Sequence, residues 1–150
     1  MRKPMSRCET GARTVLRRRL AAELEAIDRI CQEVRDGALS EIPKEQRFPV
    51  ELLLREALTN AVLHGARGNP AREICCEIEC SGRSVALRVS DDGNGFPWRR
   101  YWDATPAAMA ESGRGIQILR RYSSALRFNE EGNRVEMIRR FDPGGEDGEF

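Results

Sequence analysis

The carboxylate of Asp91 falls on the apolar face of a predicted strand, where burial of a charge costs free energy. In the alternating segment 85–89, the residues Val85, Leu87 and Val89 share the face that would enter a core, and Asp91 falls on that face two residues later. A buried carboxylate costs several kcal/mol unless a donor hydrogen-bonds to it. The alternation therefore predicts that Asp91 points toward a layer packed on the sheet and meets a protein donor or a ligand donor. An adenine amino group would be suitable.

A glycine-rich turn follows this carboxylate directly. The sequence DDGNG contains Gly93 and Gly95, and glycines permit positive φ and let a ligand lie against the backbone. Taken alone, the motif is as typical of an ordinary turn, in which Asp and Gly serve only the turn itself. Both interpretations stay open on this motif.

A line of polar residues runs along a predicted helix that begins near Val50. Glu56, Asn60 and His64 are spaced by four and therefore stack on one side of the helix. On its own, this line is typical of the solvated face of an amphipathic helix. Whether these residues form a functional site depends on which other residues the fold places beside them.

A second glycine motif precedes another predicted helix. In SGRGIQIL, Gly113 and Gly115 flank Arg114 just before the helical residues. A glycine-rich approach to a helix N-terminus offers free backbone N–H groups and the positive end of the helix dipole, which suit a polyphosphate. The alternative is a plain loop with a hinge.

The elements that must position these residues follow from apolar spacing. Steps of three and four predict a helix over residues 15–34 and another from Val50 to Gly65 or Gly68. Alternation predicts two hairpins, one of strands 74–80 and 85–89 and the other of strands 125–128 and 135–141. Between the hairpins we expect a long connection at 96–112 and a short helix at 116–122. This order predicts an α+β two-layer sandwich, with an antiparallel-rich mixed sheet covered by helices on one face.

Composition limits the chain to one domain. Its 150 residues are 40% hydrophobic and 33% charged, which suits one globular core. We expect an N-terminal tail at residues 1–14, the domain at 15–141 and a disordered acidic tail at 142–150. The formal charge of +1 gives no electrostatic case for nucleic-acid binding, and no apolar run reaches membrane length. The five cysteines lack a CxxC pair. A cytoplasmic protein without nucleic-acid or membrane partners is expected.

In this order, the three motifs resemble a known superfamily, the GHKL ATPases of gyrase, histidine kinases and MutL. EALTNAVLHG at 56–65 resembles their N box, DDGNG at 91–95 their G1 box and GRGI at 113–116 their G2 box. The TNAVLHG ending, the short interval between the glycine boxes and SGRGIQILRRYSSAL are most similar to the anti-sigma-factor serine/threonine kinases. Order and spacing agree over residues 48–141, and the resemblance implies the Bergerat (histidine kinase-like) ATP-binding fold.

The resemblance also implies roles, cofactors and partners. The implied roles are Glu56 as general base, Asn60 as Mg²⁺ ligand, Asp91 as acceptor for the adenine amino group, and Gly93, Gly95, Gly113, Arg114 and Gly115 as nucleotide-binding residues, with Gly113 and Gly115 hinging a lid. Arg114 would contact the γ-phosphate or stay a solvated cation. The implied cofactors are ATP and Mg²⁺. The implied partners are a STAS-type anti-anti-sigma protein, a sigma factor and a second copy of the chain.

Two departures from the resembling kinases stand out. Those proteins usually begin with a strand before the first helix, whereas residues 5–13 show no apolar alternation. They also tend to have Thr near the final hairpin turn, where this chain has Asn133.

The aromatic residues of the 96–112 connection, which include Phe96 and Trp98, would cover the nucleotide, bind a partner or pack, and packing is favoured.

Three functions therefore compete. The leading hypothesis is an ATP-dependent kinase that phosphorylates a STAS partner and sequesters a sigma factor. The second is an ATP-binding partner-switch module without phosphotransfer, in which Glu56 is idle. The third is a stand-alone histidine-kinase-like ATPase domain, which would act in trans because the one histidine, His64, lies inside the N box.

Overall fold

The chain folds around one five-stranded sheet. The computed structural model describes residues 11–67, 69–103 and 114–141, with the backbone alone at residue 114. The predicted tail at 142–150 lies outside these residues, as do positions 104–112 of the predicted connection. The strands are β1 (Arg13–Ala21), β2 (Glu73–Cys80), β3 (Ser84–Asp91), β4 (Ala125–Phe128) and β5 (Arg134–Arg140).

Every strand pair in this sheet is antiparallel. The spatial order is β1-β2-β3-β5-β4, and both predicted hairpins, β2 with β3 and β4 with β5, are confirmed. The two remaining pairs, β1 with β2 and β3 with β5, are antiparallel as well. The parallel contribution expected in a mixed sheet therefore does not occur among the described strands.

The helices cover one face of the sheet, as the two-layer prediction requires. They are α1 (Leu24–Asp36), α2 (Arg47–Asn60), α3 (Trp98–Tyr101) and α4 (Arg114–Tyr122). A π-helical turn, Ala61–Gly65, extends α2 to the glycine predicted to end it. The alternating residues of β2 and β3, including Cys76 and Cys80, are buried beneath these helices. No helix in the described parts of the chain is long and apolar enough to span a bilayer.

The helix predicted over residues 15–34 is wrong in its first half. Residues 13–21 form β1, and helix α1 begins only at Leu24. Leu16 and Leu20, four residues apart, share a face in either structure, so apolar spacing could not separate strand from helix. The strand is selected by pairing with β2, fifty or more residues away, where Leu16 lies opposite Ile78 and Leu20 opposite Ile74. A strand therefore precedes the first helix after all, so that departure from the resembling kinases disappears.

The opposite face of the sheet carries a row of alternating charges. One residue from each strand contributes, in spatial order: Arg17, Glu77, Arg88, Glu136 and Arg127. The closest nitrogen-to-oxygen distances along this row are 2.8, 3.8, 3.0 and 4.0 Å. We call these five residues the charge row. They occupy the face that the helices leave uncovered.

Candidate nucleotide-binding site

The polar line on α2 meets the first turn of α4. Apolar residues of α2 hold the helix on the sheet and are fully buried: Val50, Leu53, Leu54, Ala57 and Leu58. Glu56 and Asn60 then face α4, where a Cβ added to Gly115 would lie 2.9 Å from Glu56 Oε1 and 3.3 Å from Asn60 Oδ1. The backbone of Gly115 therefore packs directly against both polar groups. Position 115 therefore favours glycine because a side chain would crowd Glu56 and Asn60. This constraint is separate from the predicted hinge role.

Asn60 has an amide group that the protein leaves incompletely bonded. Its Nδ2 is buried and has no hydrogen-bond partner within the described residues. Such an orphaned group costs about 1–3 kcal/mol, which indicates a site prepared for a ligand. Mg²⁺ prefers oxygen ligands, keeps several waters and is shared with substrate phosphates, so one amide oxygen from the protein suffices. The orphaned Nδ2 is a donor and would suit a phosphate oxygen, while Oδ1 of the same amide is the atom that fits a magnesium ion.

Glu56 lies one helical turn before Asn60 and is partly withdrawn from water. Burial raises the pKa of its carboxyl, and the nearby positive charge of Arg55 opposes that rise. No hydrogen bond to this carboxylate comes from the described residues. A carboxylate with a raised pKa and free lone pairs is suited to accept a proton.

Asp91 ends β3 and points toward the helices, as its position in the alternation predicts. A Cβ added to Gly65 would lie 2.3 Å from Asp91 Oδ2, so the carboxylate contacts the turn that follows α2. The backbone N–H of Gly93 donates to Oδ1 over 2.7 Å. Burial raises the pKa of Asp91, and the bond from Gly93 opposes this rise. Oδ2 receives no hydrogen bond from the described part of the chain, so it is available to a ligand donor.

The glycine turn after Asp91 is clamped between two other turns. A Cβ on Gly93 would lie 1.9 Å from the carbonyl oxygen of Gly65, and one on Gly95, at φ 96°, would lie 1.9 Å from that of Glu131. Asn133 joins the same structure: its carbonyl accepts from the Asp91 N–H at 2.9 Å, and its Nδ2 donates to the Gly93 carbonyl at 3.3 Å. These glycines are required for close backbone contact. Asn133, near the turn where the resembling kinases tend to have Thr, bonds to the protein.

Asn60 and Asp91 both line one narrow cavity. Its volume is about 20 Å³, and Phe96, Leu119 and Phe128 line it together with those two polar residues. A larger depression of about 440 Å³ lies on the uncovered face around the charge row. The smaller cavity is the candidate nucleotide site, because the orphaned amide of Asn60 and the inward carboxylate of Asp91 both line it.

The structure brings together most of the residues that the motifs predicted. Gly113 lies outside the described residues, and Arg114 contributes described backbone alone at the start of α4, so their predicted roles are not tested. His64 packs on Phe96 with ring centroids 4.7 Å apart, and burial lowers its pKa. It is therefore a partly buried residue packed beside Phe96, which lines the candidate cavity. The sequence analysis missed the contact of Gly65 with Asp91, although Gly65 ends the N-box motif.

The chain belongs to the histidine kinase-like ATPase domain family, whose model matches residues 20–139. The fold is accordingly the Bergerat fold, and the domain is of the ATP-binding GHKL type. One relative is the anti-sigma F factor of Anoxybacillus flavithermus, to which the chain is 26% identical over 97 residues. That match covers 60% of this chain and 66% of the relative. The chain thus spans slightly less than two thirds of the relative's length.

Proposed function

We propose that this protein is an Mg²⁺- and ATP-dependent serine/threonine protein kinase of the anti-sigma-factor type. The observation that carries the proposal is the contact of Gly115 with both Glu56 and Asn60. It places a helix N-terminus, a partly buried carboxylate and an orphaned amide at one point. Phosphoryl transfer depends mainly on positioning and on electrostatic stabilisation, which this arrangement supplies.

Each candidate residue has a chemical part in this proposal. Asp91 Oδ2 accepts a hydrogen bond from the adenine amino group, and the N-terminus of α4 faces the phosphates. Magnesium at Asn60 would neutralise phosphate charge. Glu56 takes the proton of a serine or threonine hydroxyl as that oxygen bonds to the γ-phosphorus, and ADP leaves with the electron pair of the broken bond. Gly113 and Arg114 belong to the same phosphate region.

The partner is proposed from the comparison and the motif resemblance together. The relative is named an anti-sigma factor, which supports a sigma factor as one partner of this chain. The resembling kinases imply a STAS-type anti-anti-sigma protein as phosphoacceptor, in a cytoplasmic partner-switching system. Phosphorylation adds about −1.5 to −2 charge to the acceptor, enough to weaken a docked interface.

The direct test is phosphotransfer to a STAS protein encoded near this chain. Incubation with Mg-ATP should give phosphoserine or phosphothreonine on that protein, and Glu56→Gln should abolish it while ATP binding is retained. The matched control is Glu51→Gln on the same helix, because Glu51 pairs with Arg35 of α1 at 2.9 Å. This control should transfer phosphate at the wild-type rate.

Two other outcomes would change the assignment. Undiminished transfer by Glu56→Gln would reject Glu56 as the base. Tight ATP binding that Asp91→Asn weakens, with no transfer to any STAS protein tested, would favour the partner-switch module over the kinase.

A further inference from the structure

Phe96 lines the small cavity that is shared by Asp91, the proposed adenine acceptor, and Asn60, the proposed magnesium ligand. Its side chain is 3% exposed, and the cavity that remains beside it measures about 20 Å³. That volume holds about one water molecule, whereas small-molecule sites usually occupy about 300–1,000 Å³. A purine therefore enters between Asp91 and Asn60 only if a lining side chain leaves.

The backbone around Phe96 is too constrained to make this room. The Phe96 N–H donates to the Gly132 carbonyl at 2.9 Å. A Cβ on Gly132, at φ 80°, would lie 2.1 Å from the Phe96 carbonyl oxygen. The neighbouring Gly95 packs equally closely on Glu131. With its main chain fixed on the β4–β5 turn, Phe96 can make room only by rotation of its side chain.

The ring of Phe96 is connected to both tryptophans of the chain. It stacks on Tyr101 with centroids 5.7 Å apart and contacts Phe128 at 6.1 Å. Phe128 stacks on Trp98 at 5.3 Å, and Trp98 meets Trp102 edge-on at 5.5 Å. Aromatic pairs at these separations each contribute about 0.5–1.5 kcal/mol beyond burial. Movement of Phe96 therefore disturbs α3, which carries Trp98 and Tyr101.

Helix α3 is held in turn by α4, the helix that packs on Glu56 and Asn60. Gln117 Nε2 donates to the carbonyl oxygens of Tyr101 and Trp102 at 3.1 and 3.2 Å. The Arg120 guanidinium lies 4.6 Å above the Trp102 ring. The cavity, the aromatic residues and the phosphate side of the site thus form one continuous set of contacts.

We propose that Phe96 is an internal competitor of the purine, so that ATP binding displaces this ring and shifts α3. The inference rests on the proposed function, because it needs a nucleotide between Asp91 and Asn60. It makes Phe96 an affinity-determining residue whose removal strengthens binding. Apparent affinity is reduced by the fraction of molecules in which the ring has left the cavity.

The first measurement is ATP affinity by calorimetry in the presence of Mg²⁺. Phe96→Ala should bind ATP more tightly than wild type, by about tenfold, because no ring has to leave. Phe96→Leu, which keeps an apolar core residue, should give a smaller gain and guards against misfolding in the alanine variant. Phe48→Ala is the matched control, since Phe48 is 71% exposed at the start of α2. Its ATP affinity should equal that of wild type.

The second measurement is intrinsic tryptophan fluorescence, because the two tryptophans of the chain are Trp98 and Trp102. ATP should change the emission of the wild-type protein saturably, and the observed rate should level off at high ATP as ring displacement becomes limiting. In Phe96→Ala the emission change should shrink and the plateau in rate should disappear.

The outcomes separate this inference from the proposed function. Weaker ATP binding by both folded Phe96 variants would overturn the inference, since the ring would then be a wall that supports the purine. Wild-type binding without any change in emission would overturn the coupling to α3. In both cases the nucleotide site survives if Asp91→Asn still weakens ATP binding. Absence of ATP binding in wild type and in Phe96→Ala would reject both proposals.

Discussion

Replacing Gly115 with alanine should slow phosphotransfer while leaving the fold at least as stable. The added Cβ would lie 2.9 Å from Glu56 Oε1, and ordinary contact begins near 3.4 Å. The carboxylate must therefore withdraw by about 0.5 Å. Because a misplacement of about 1 Å costs about 10²-fold in rate, this shift should cost about tenfold.

The stability effect should have the opposite sign. Gly115 lies within α4, and alanine inside a helix is favoured over glycine by about 0.5–1 kcal/mol. The contact with Glu56 offsets part of that gain. The free energy of unfolding measured with urea should therefore stay equal to that of wild type or rise. A slower enzyme that is not less stable distinguishes displacement of the base from general damage to the fold.

The assay is the initial rate of phosphotransfer, with ATP hydrolysis in the absence of the partner as a second readout. Gly82→Ala is the control, because a Cβ there meets nothing within 4 Å. If Gly115 acts as a hinge instead, alanine should alter the binding and release of ATP more than the rate of transfer. An unchanged transfer rate in Gly115→Ala would refute the argument that this glycine positions Glu56.

Three further predictions follow from the site and its turns. Burial raises the pKa of Glu56, so this carboxyl stabilises the fold below the ordinary glutamate pKa and loses that contribution as pH rises through the raised value. Glu56→Gln should therefore be more stable than wild type at pH 7, and a Tm gain of equal size at pH 3 would contradict this linkage. Asn60→Ala should weaken Mg-ATP binding by about tenfold or more but affect magnesium-free ATP less; calorimetry showing equal losses would reject the metal role. Gly95→Ala should destabilise the fold by more than about 2 kcal/mol in urea unfolding, whereas Gly11→Ala, also at positive φ but in open space, should cost about 1 kcal/mol. Equal costs would show that the contact with Glu131 is unimportant.

The parts of the site that follow from local periodicity could be predicted from the sequence. The inward direction of Asp91 follows from the alternation of β3, and the stacking of Glu56 and Asn60 follows from their helical spacing. The contact of Gly115 with α2 joins residues about sixty positions apart. No periodicity within either segment contains that information, because it arises from packing α4 against α2.

The error at the N-terminus has the same origin. Residues 13–21 contain Leu16 and Leu20 at a spacing that suits both a helix and a strand, and three consecutive arginines give no strand signal. In the folded sheet, Arg17 and Arg19 lie beside Glu77 and Glu73 of β2, which is information that the segment itself does not contain. The decision is made by a distant partner strand. The packing of Phe96 could not be predicted for a related reason, since its ring contacts His64, Tyr101 and Phe128, which come from three separate segments.

The charge row has a consequence for how accurately the sheet assembles. Alternation of apolar and polar residues penalises a strand that slips by one residue, because every side chain would change faces. The same alternation does not penalise a slip of two residues, because every side chain then stays on its own face. In β5 such a slip would place Arg134 or Ile138, instead of Glu136, opposite Arg88 and Arg127. The charge row therefore favours the native register over a two-residue slip, which hydrophobicity alone does not distinguish. Salt screens these charges, so it should reduce the free-energy difference between the two registers.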